Sequence, residues 1–281
     1  MNPLFYRVRE FSRYYASAKT AYQLHSPFVF DLVNAILEDD RYFYAFRDIE
    51  KVRQTMLNSD TEIEITDFGA GSDGVIGHAP GVRARTFTAP LKQIARKAGS
   101  SPAQCQRLFR LAQHLQPKTM LELGSSVGIG SMYLAAGARN ARFLTLEGSD
   151  RCADVAALNL NILGLQNTTV IKGAFENSLR PSLERLQKVD LAFFDGNHRR
   201  DPTLRYFEMS LDYAHEGTCF AFDDIYWSEG MTEAWQVIKQ HPRVTLTIDF
   251  FDIALAFFSP DFKEKQHFQV VPKRWKPWKV F

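Results

Sequence analysis

The chain has 281 residues, of which 45% are hydrophobic, with 34 Lys and Arg against 32 Asp and Glu. That length and apolar share suit one large α/β domain with a smaller cap, or two modest domains, and a net charge of +2 excludes a strong binder of polyanions. Three cysteines, Cys105, Cys152 and Cys219, are widely spaced with no C-x-x-C, which points to reduced thiols in a cytoplasmic compartment and away from a zinc site or a disulfide framework.

The N-terminal stretch MNPLFYRVREFSRYY carries charges every few residues. It has neither the apolar centre of a signal peptide nor a span able to cross a membrane. Residues 1–60 read as helices. Phe5, Val8, Phe11 and Tyr15 recur at helical spacing and predict one apolar face. Pro27 breaks the pattern, which resumes over Phe28–Leu37, and Tyr42, Phe43, Tyr44 and Phe46 add further rings. These aromatics read as the core of a helical cap, or in part as a wall of a substrate pocket. His25 reads as a structural residue.

Glu62–Gly71 (EIEITDFGAG) alternates like a strand and ends in an acid–glycine loop. No second strand with a terminal acid follows at the needed distance, so Asp67–Gly81 is expected to be a loop or hairpin joining the cap to the core. Val75–Lys118 has no acid but carries Arg83, Arg85, Lys92, Arg96, Lys97, Arg107, Arg110 and Lys118. A solvated helix face explains it most simply. A patch for an anionic ligand is the alternative, and an RNA contact is disfavoured because the run lacks interleaved aromatics. Ser100 or Ser101 with Pro102 predicts a helix start, and the helix runs on through Leu108, Leu111 and Leu115.

From Met120 strands and helices alternate, which implies a parallel sheet. Met120–Ser131 (MLELGSSVGIGS) reads as a strand, a glycine-rich turn and a helix whose free N–H groups would face a ligand. Its glycines do not match the G-x-G-x-x-G of dinucleotide binders. Phe143–Glu147 is a second apolar strand ending in an acid. Glu147 stands 23 residues after Gly124, close to the roughly 20 expected of an acid that grips ribose hydroxyls. Further strands are predicted at Thr168–Ile171, Val189–Phe194 ending at Asp195, and Thr218–Phe222 ending at Asp223 and Asp224. A helix is predicted over Met231–Lys239 and an antiparallel pair at Val244–Asp249 and Ile253–Phe258. The basic, aromatic tail Lys273–Lys279 reads as an edge or interface element.

Glu122-Leu-Gly124, Glu147, Gly173-Ala174, Asp195 and Asp223-Asp224 follow one another in the order of the class I S-adenosylmethionine-dependent methyltransferases. Within that family the chain resembles the catechol-type small-molecule O-methyltransferases over Leu91–Phe258, with an N-terminal extension like that of bacterial relatives. The resemblance implies a Rossmann-like α/β fold. Its seven-stranded, mostly parallel sheet would end in an antiparallel hairpin, with a helical cap over residues 1–90 and the methyltransferase domain over 91–281. It implies S-adenosylmethionine as cofactor. Glu147 with Gly148 would hold the ribose. Glu122 and the loop of Gly124, Ser125, Ser126, Gly128 and Gly130 would hold the methionine end. Gly173 and Ala174 would meet the adenine.

Asp195, Asp223 and Asp224 occupy the positions that bind Mg²⁺ in the catechol-type enzymes, although that family usually has Asn where Asp224 stands. Close carboxylates repel unless a cation or protons offset them. The alternative is that Asp195 borders the methionine moiety, as in metal-free class I enzymes. His198 takes the place of the family's catalytic lysine and is the expected general base, with Asp195 beside it in the catalytic group; the alternative for His198 is packing on adenine. Arg199 and Arg200 would meet an anionic acceptor or water, and Tyr226 and Trp227 a planar acceptor or the core.

O-methylation of a small molecule is therefore the leading expectation, with no membrane and a homodimer as a candidate assembly. A nitrogen, protein or RNA acceptor keeps the same cofactor, but Asp195-Gly-Asn-His198 lacks the Asn/Asp-Pro-Pro-Tyr/Phe motif of base-methylating enzymes, which argues against nucleic acid. A non-catalytic scaffold is the reading from another class, and a dehydrogenase is the weakest.

Overall fold

The computed structural model describes residues 3–68, 84–97 and 100–279. In chain order they form α1 (Pro3–Ser17), α2 (Pro27–Val33), α3 (Tyr44–Leu57), β1 (Glu62–Asp67), β2 (Arg85–Pro90), α4 (Leu91–Lys97), α5 (Pro102–Leu115), β3 (Thr119–Leu123) and α6 (Ile129–Gly137). There follow β4 (Arg142–Glu147), α7 (Asp150–Ile162), β5 (Thr168–Lys172), α8 (Phe175–Leu186), β6 (Val189–Phe194), α9 (Arg200–Leu211), β7 (Ala214–Asp223), α10 (Glu229–Gln240), β8 (Leu246–Asp249), β9 (Ile253–Phe257) and β10 (Gln266–Gln269). Two compact units are present. One comprises Met1–Asp40, Val189–Phe194 and His198–Phe281, the other Arg41–Lys188 and Asp195–Asn197.

The second of these units carries the glycine-rich loop. Its strands β3, β4 and β5 are parallel, with Leu121 opposite Leu144 and Leu144 opposite Thr169. Met120, Leu121, Leu123, Phe143, Leu144 and Leu146 are all buried. Parallel strands are covered on both faces, so they read as apolar runs rather than alternations. The predicted start of α5 is present: Ser101 Oγ accepts from Gln104 N at 3.2 Å, with Pro102 at the first helical position. β1 and β2 form a separate antiparallel hairpin. The loop expected over Asp67–Gly81 therefore begins inside a strand, and residues 69–83 lie outside the described residues. The basic run is no single solvated face. Arg110 is 7% exposed and donates to Arg41 O at 3.0 Å, while Lys92 pairs with Asp60.

In the first unit β6 is parallel to β7, β7 antiparallel to β9, β9 antiparallel to β8, and β8 parallel to β10. The expected terminal hairpin is thus present as β8 and β9. The central sheet has eight strands rather than seven, five in this unit and three in the other. The additional one, β10 (QHFQ), is short, polar and half-exposed, so it carries no apolar periodicity to read.

The predicted face of α1 is buried only in part. Phe11 and Tyr15 pack against a buried cluster, but Phe5 and Val8 are 64% and 57% exposed. Tyr6, Glu10, Tyr14 and Ala18 face inward instead. Tyrosine hydroxyls decide the choice: Tyr6 donates to Thr232 Oγ1 at 2.8 Å and Tyr14 to Val270 O at 2.5 Å. A buried tyrosine needs such a partner, and each finds one on the tyrosine side of the helix. The basic tail is built into this unit rather than lying at its edge. Lys276 is 3% exposed, and its Nζ donates to Tyr15 O and to Ala18 O, capping carbonyls at the end of α1. Among the described residues no helix is long and apolar enough to cross a membrane, and Cys105, Cys152 and Cys219 are free and buried.

Candidate active site

In the second unit the end of β3 turns sharply at Gly124, which has φ 98°. A Cβ there would lie 2.3 Å from Asp195 O, so no other residue fits. The turn is held from two sides: Gly124 N donates to Leu146 O, and Asp195 N donates to Leu123 O, both at 2.9 Å. Asp195 is thereby drawn to the same loop as Gly124. Gly128 (φ 87°) is the N-cap of α6.

Within that loop Ser125 is 4% exposed, and its Oγ has no hydrogen-bond partner among the described residues. A buried hydroxyl without a partner costs about 1–3 kcal/mol. Such an atom, beside a glycine turn and a helix N-terminus, fits the polar end of a ligand.

The two strand-end acids differ. Glu122 is 1% exposed. Its Oε2 accepts from Thr145 Oγ1 at 2.5 Å and from the Ser131 hydroxyl. Burial outweighs both donors and pushes its carboxyl up to about 7, with Glu147 adding to the rise. Glu122 therefore braces the loop from beneath, through the helix α6 on which Ser131 sits.

Glu147 is half-buried. Its Oε2 accepts from Ser126 N at 2.7 Å and its Oε1 from Ser149 N at 2.8 Å. Burial raises its pKa, backbone N–H groups oppose that, and Asp67 adds to it. Each carboxylate oxygen keeps a further lone pair for a ligand hydroxyl. Gly173 N donates to Glu147 O at 2.9 Å. Beside Gly173, nothing among the described residues lies within 4 Å of where a Cβ would stand. Ala174 then caps α8.

The first unit holds His198, Asp223 and Asp224. His198 is half-buried. Burial lowers its pKa and the Asp224 charge partly restores it, so the imidazole stays neutral near pH 7 and able to accept a proton. Asp223 is 5% exposed at the end of β7, and Asp224 turns the chain with φ 50°. The Trp227 ring is 45% exposed, with its centroid 6.4 Å from that of His198. Tyr226 belongs to the core, stacked on Phe251 and donating to Asp249 Oδ2 at 2.6 Å.

Arg7 of α1, absent from the sequence-based expectation, enters here. Its Nη2 lies 3.5 Å from Asp224 Oδ1, and its guanidinium carbon 5.4 Å from the Trp227 ring centroid. Its only signal in the sequence is a basic residue on the face of α1 that also carries Tyr6. Among the described residues no group of three or more His, Cys, Asp or Glu is placed to hold a metal ion.

Residues 121–225 match the model of a methyltransferase domain. Over these residues the chain is similar to methyltransferase domains. A catechol O-methyltransferase of Niastella koreensis is 32% identical over 128 residues, covering 44% of this chain and 57% of that protein. The chain thus spans little more than half the length of this relative. A catechol O-methyltransferase of Mycobacterium tuberculosis is 26% identical over 157 residues, covering 54% of this chain and 67% of that protein. Among solved structures, a methyltransferase of Podospora anserina with S-adenosylhomocysteine bound has a TM-score of 0.55 at 18% identity, covering 84% of this chain and 97% of that one. That likeness identifies the Rossmann-like methyltransferase fold. The matched domain contains Glu122, the Gly124–Gly130 loop, Glu147, Gly173, Asp195, His198 and Asp224.

Proposed function

We propose that this protein transfers a methyl group from S-adenosylmethionine to a hydroxyl of a small molecule. The observation that carries the reading is the partnerless, buried Ser125 Oγ in the loop that Ser126 ties to Glu147. One end of that loop offers hydroxyl and backbone donors for an amino acid, and the other a carboxylate for a ribose. The named relatives act on catechols, which supports a hydroxylated aromatic as acceptor.

When bound, S-adenosylmethionine supplies a methyl group on a positively charged sulfur, open to in-line displacement. The chain's residues hold and orient the reactants, which is the larger share of catalysis for such a step. Ser125 and the N–H groups at the start of α6 bind the methionine end. Glu147 accepts from the ribose hydroxyls. Glu122 keeps the loop in shape from below, and Asp195 borders the methionine moiety. His198 takes the proton from the acceptor hydroxyl as the oxygen attacks, becoming imidazolium, and Asp224 beside it stabilises that charge. Arg7 in turn supplies a positive charge next to Asp224.

The test is methyl transfer from labelled S-adenosylmethionine to a panel of simple catechols and phenols, with and without a chelator. Product that forms equally with chelator present supports the reading. Turnover abolished by the chelator and restored by Mg²⁺ contradicts its metal-free form. Transfer to none of these acceptors contradicts the choice of acceptor class.

A further inference from the structure

Gly148 directly follows the ribose acid and has no side chain. The space beside it is filled from another part of the same unit. A Cβ at Gly148 would lie 2.6 Å from Cδ2 and 2.8 Å from Cε2 of Phe68, so the Phe68 ring rests on the Gly148 backbone. Phe68 immediately follows β1 and is half-buried. The end of β1 is tied to the same place twice more. Thr66 N donates to Ser149 Oγ at 3.3 Å, and Asp67 is near enough to Glu147 to raise its pKa. The hairpin strand therefore delivers an aromatic ring to the residue next to Glu147, while no described residue stands within 4 Å of a Cβ at Gly173, at the neighbouring strand end.

We propose that Phe68 is an adenine-binding residue of the cofactor site, supplied by the hairpin because Gly148 provides no side chain there. The inference rests on the methyltransferase reading. An aromatic face beside a ribose acid suits a planar purine, because rings stack with offset or edge geometry and an apolar body excludes water. Gly148 is then required for close approach: any side chain would strike the Phe68 ring or push it away. On this account the end of β1, with Phe68 after it, is the arm that completes the cofactor loop.

The test is calorimetric titration of wild type, Phe68→Ala, Phe68→Leu and Phe68→Trp with two probes. These are S-adenosylhomocysteine and methylthioadenosine, which keeps the adenine and ribose but lacks the amino-acid end. Losing a stacking partner weakens binding roughly ten- to hundredfold. Phe68→Ala should weaken both probes by that factor and in parallel, Phe68→Leu should weaken both less, and Phe68→Trp should keep affinity and change fluorescence on binding. Phe68→Leu keeps an apolar group on Gly148, so it carries the test if Phe68→Ala fails to fold. Wild-type affinity in both Phe68→Ala and Phe68→Leu, or in Phe68→Leu alone where Phe68→Ala does not fold, overturns the inference while leaving the methyltransferase reading intact. A wild-type protein that binds neither probe overturns that reading and this inference together.

Discussion

The ends of β3 and β4 carry the same residue type and do different work. Glu122 lies wholly inside, its carboxylate met by side-chain hydroxyls. Glu147 is half-buried, its carboxylate met by backbone N–H groups. Fixed backbone donors favour the ionised form, whereas burial favours the neutral one. One acid is therefore suited to holding the loop and the other to holding a ligand. A glutamate at a strand end has no role of its own until its surroundings assign one.

That contrast breaks first at Glu147. Glu147→Ala should lower S-adenosylhomocysteine affinity by a hundredfold or more, since it removes two charge-assisted hydrogen bonds to ribose, roughly 1.5–3 kcal/mol each. An affinity within threefold of wild type would take the ribose role from this residue.

Glu122 sharpens the other side. Its folded pKa of about 7 lies above the ordinary 4.5, so between those values the folded protein holds a proton that the unfolded chain releases. Stability from this group is greatest below pH 4.5, falls as pH rises, and levels off above pH 7, a change of about 3 kcal/mol. Glu122→Gln should flatten that slope in denaturant titrations across the window. An unchanged slope would mean that Glu122 is ionised in the fold.

Ser125→Ala should weaken cofactor binding by roughly tenfold, the value of one hydrogen bond of about 1.4 kcal/mol, without lowering the melting temperature, since its hydroxyl has no partner to lose. A melting temperature that falls instead would give Ser125 a structural role. The smallest effect is expected at Arg7, whose contact with Asp224 is 3.5 Å long and 40% exposed on the arginine side. Such surface pairs contribute at most about 1 kcal/mol. Arg7→Ala should shift unfolding by no more than that. It should instead alter turnover, because Asp224 and His198 lose their neighbouring charge. Unaltered turnover would remove Arg7 from the site.

Much of the core was legible because it follows simple rules. Val189–Phe194 (VDLAFF) is apolar at all but Asp190, and β6 occupies it end to end. Ser101 before Pro102 announced the start of α5. The sequence placed an acid at the end of the second strand of the motif, and β4 ends at Glu147. What the pattern missed depended on tertiary partners. The place of Phe5 and Val8 on α1 was misread because tyrosine hydroxyls help to choose its inner side. Lys276 was read as part of an edge or interface element but caps a helix end. Phe68 looked like part of a decoy loop. Its signal was indirect: Gly148, the position after the ribose acid, is a glycine with no ring of its own to offer.

The measurement that bears most directly on the central claim is a titration of wild-type protein and Glu147→Ala with S-adenosylhomocysteine, followed by heat. Saturable one-to-one binding in the micromolar range by the wild type, lost in the variant, is the expected result. Equal binding by both proteins would place the ligand elsewhere, and no binding by the wild type would leave a methyltransferase fold without its cofactor.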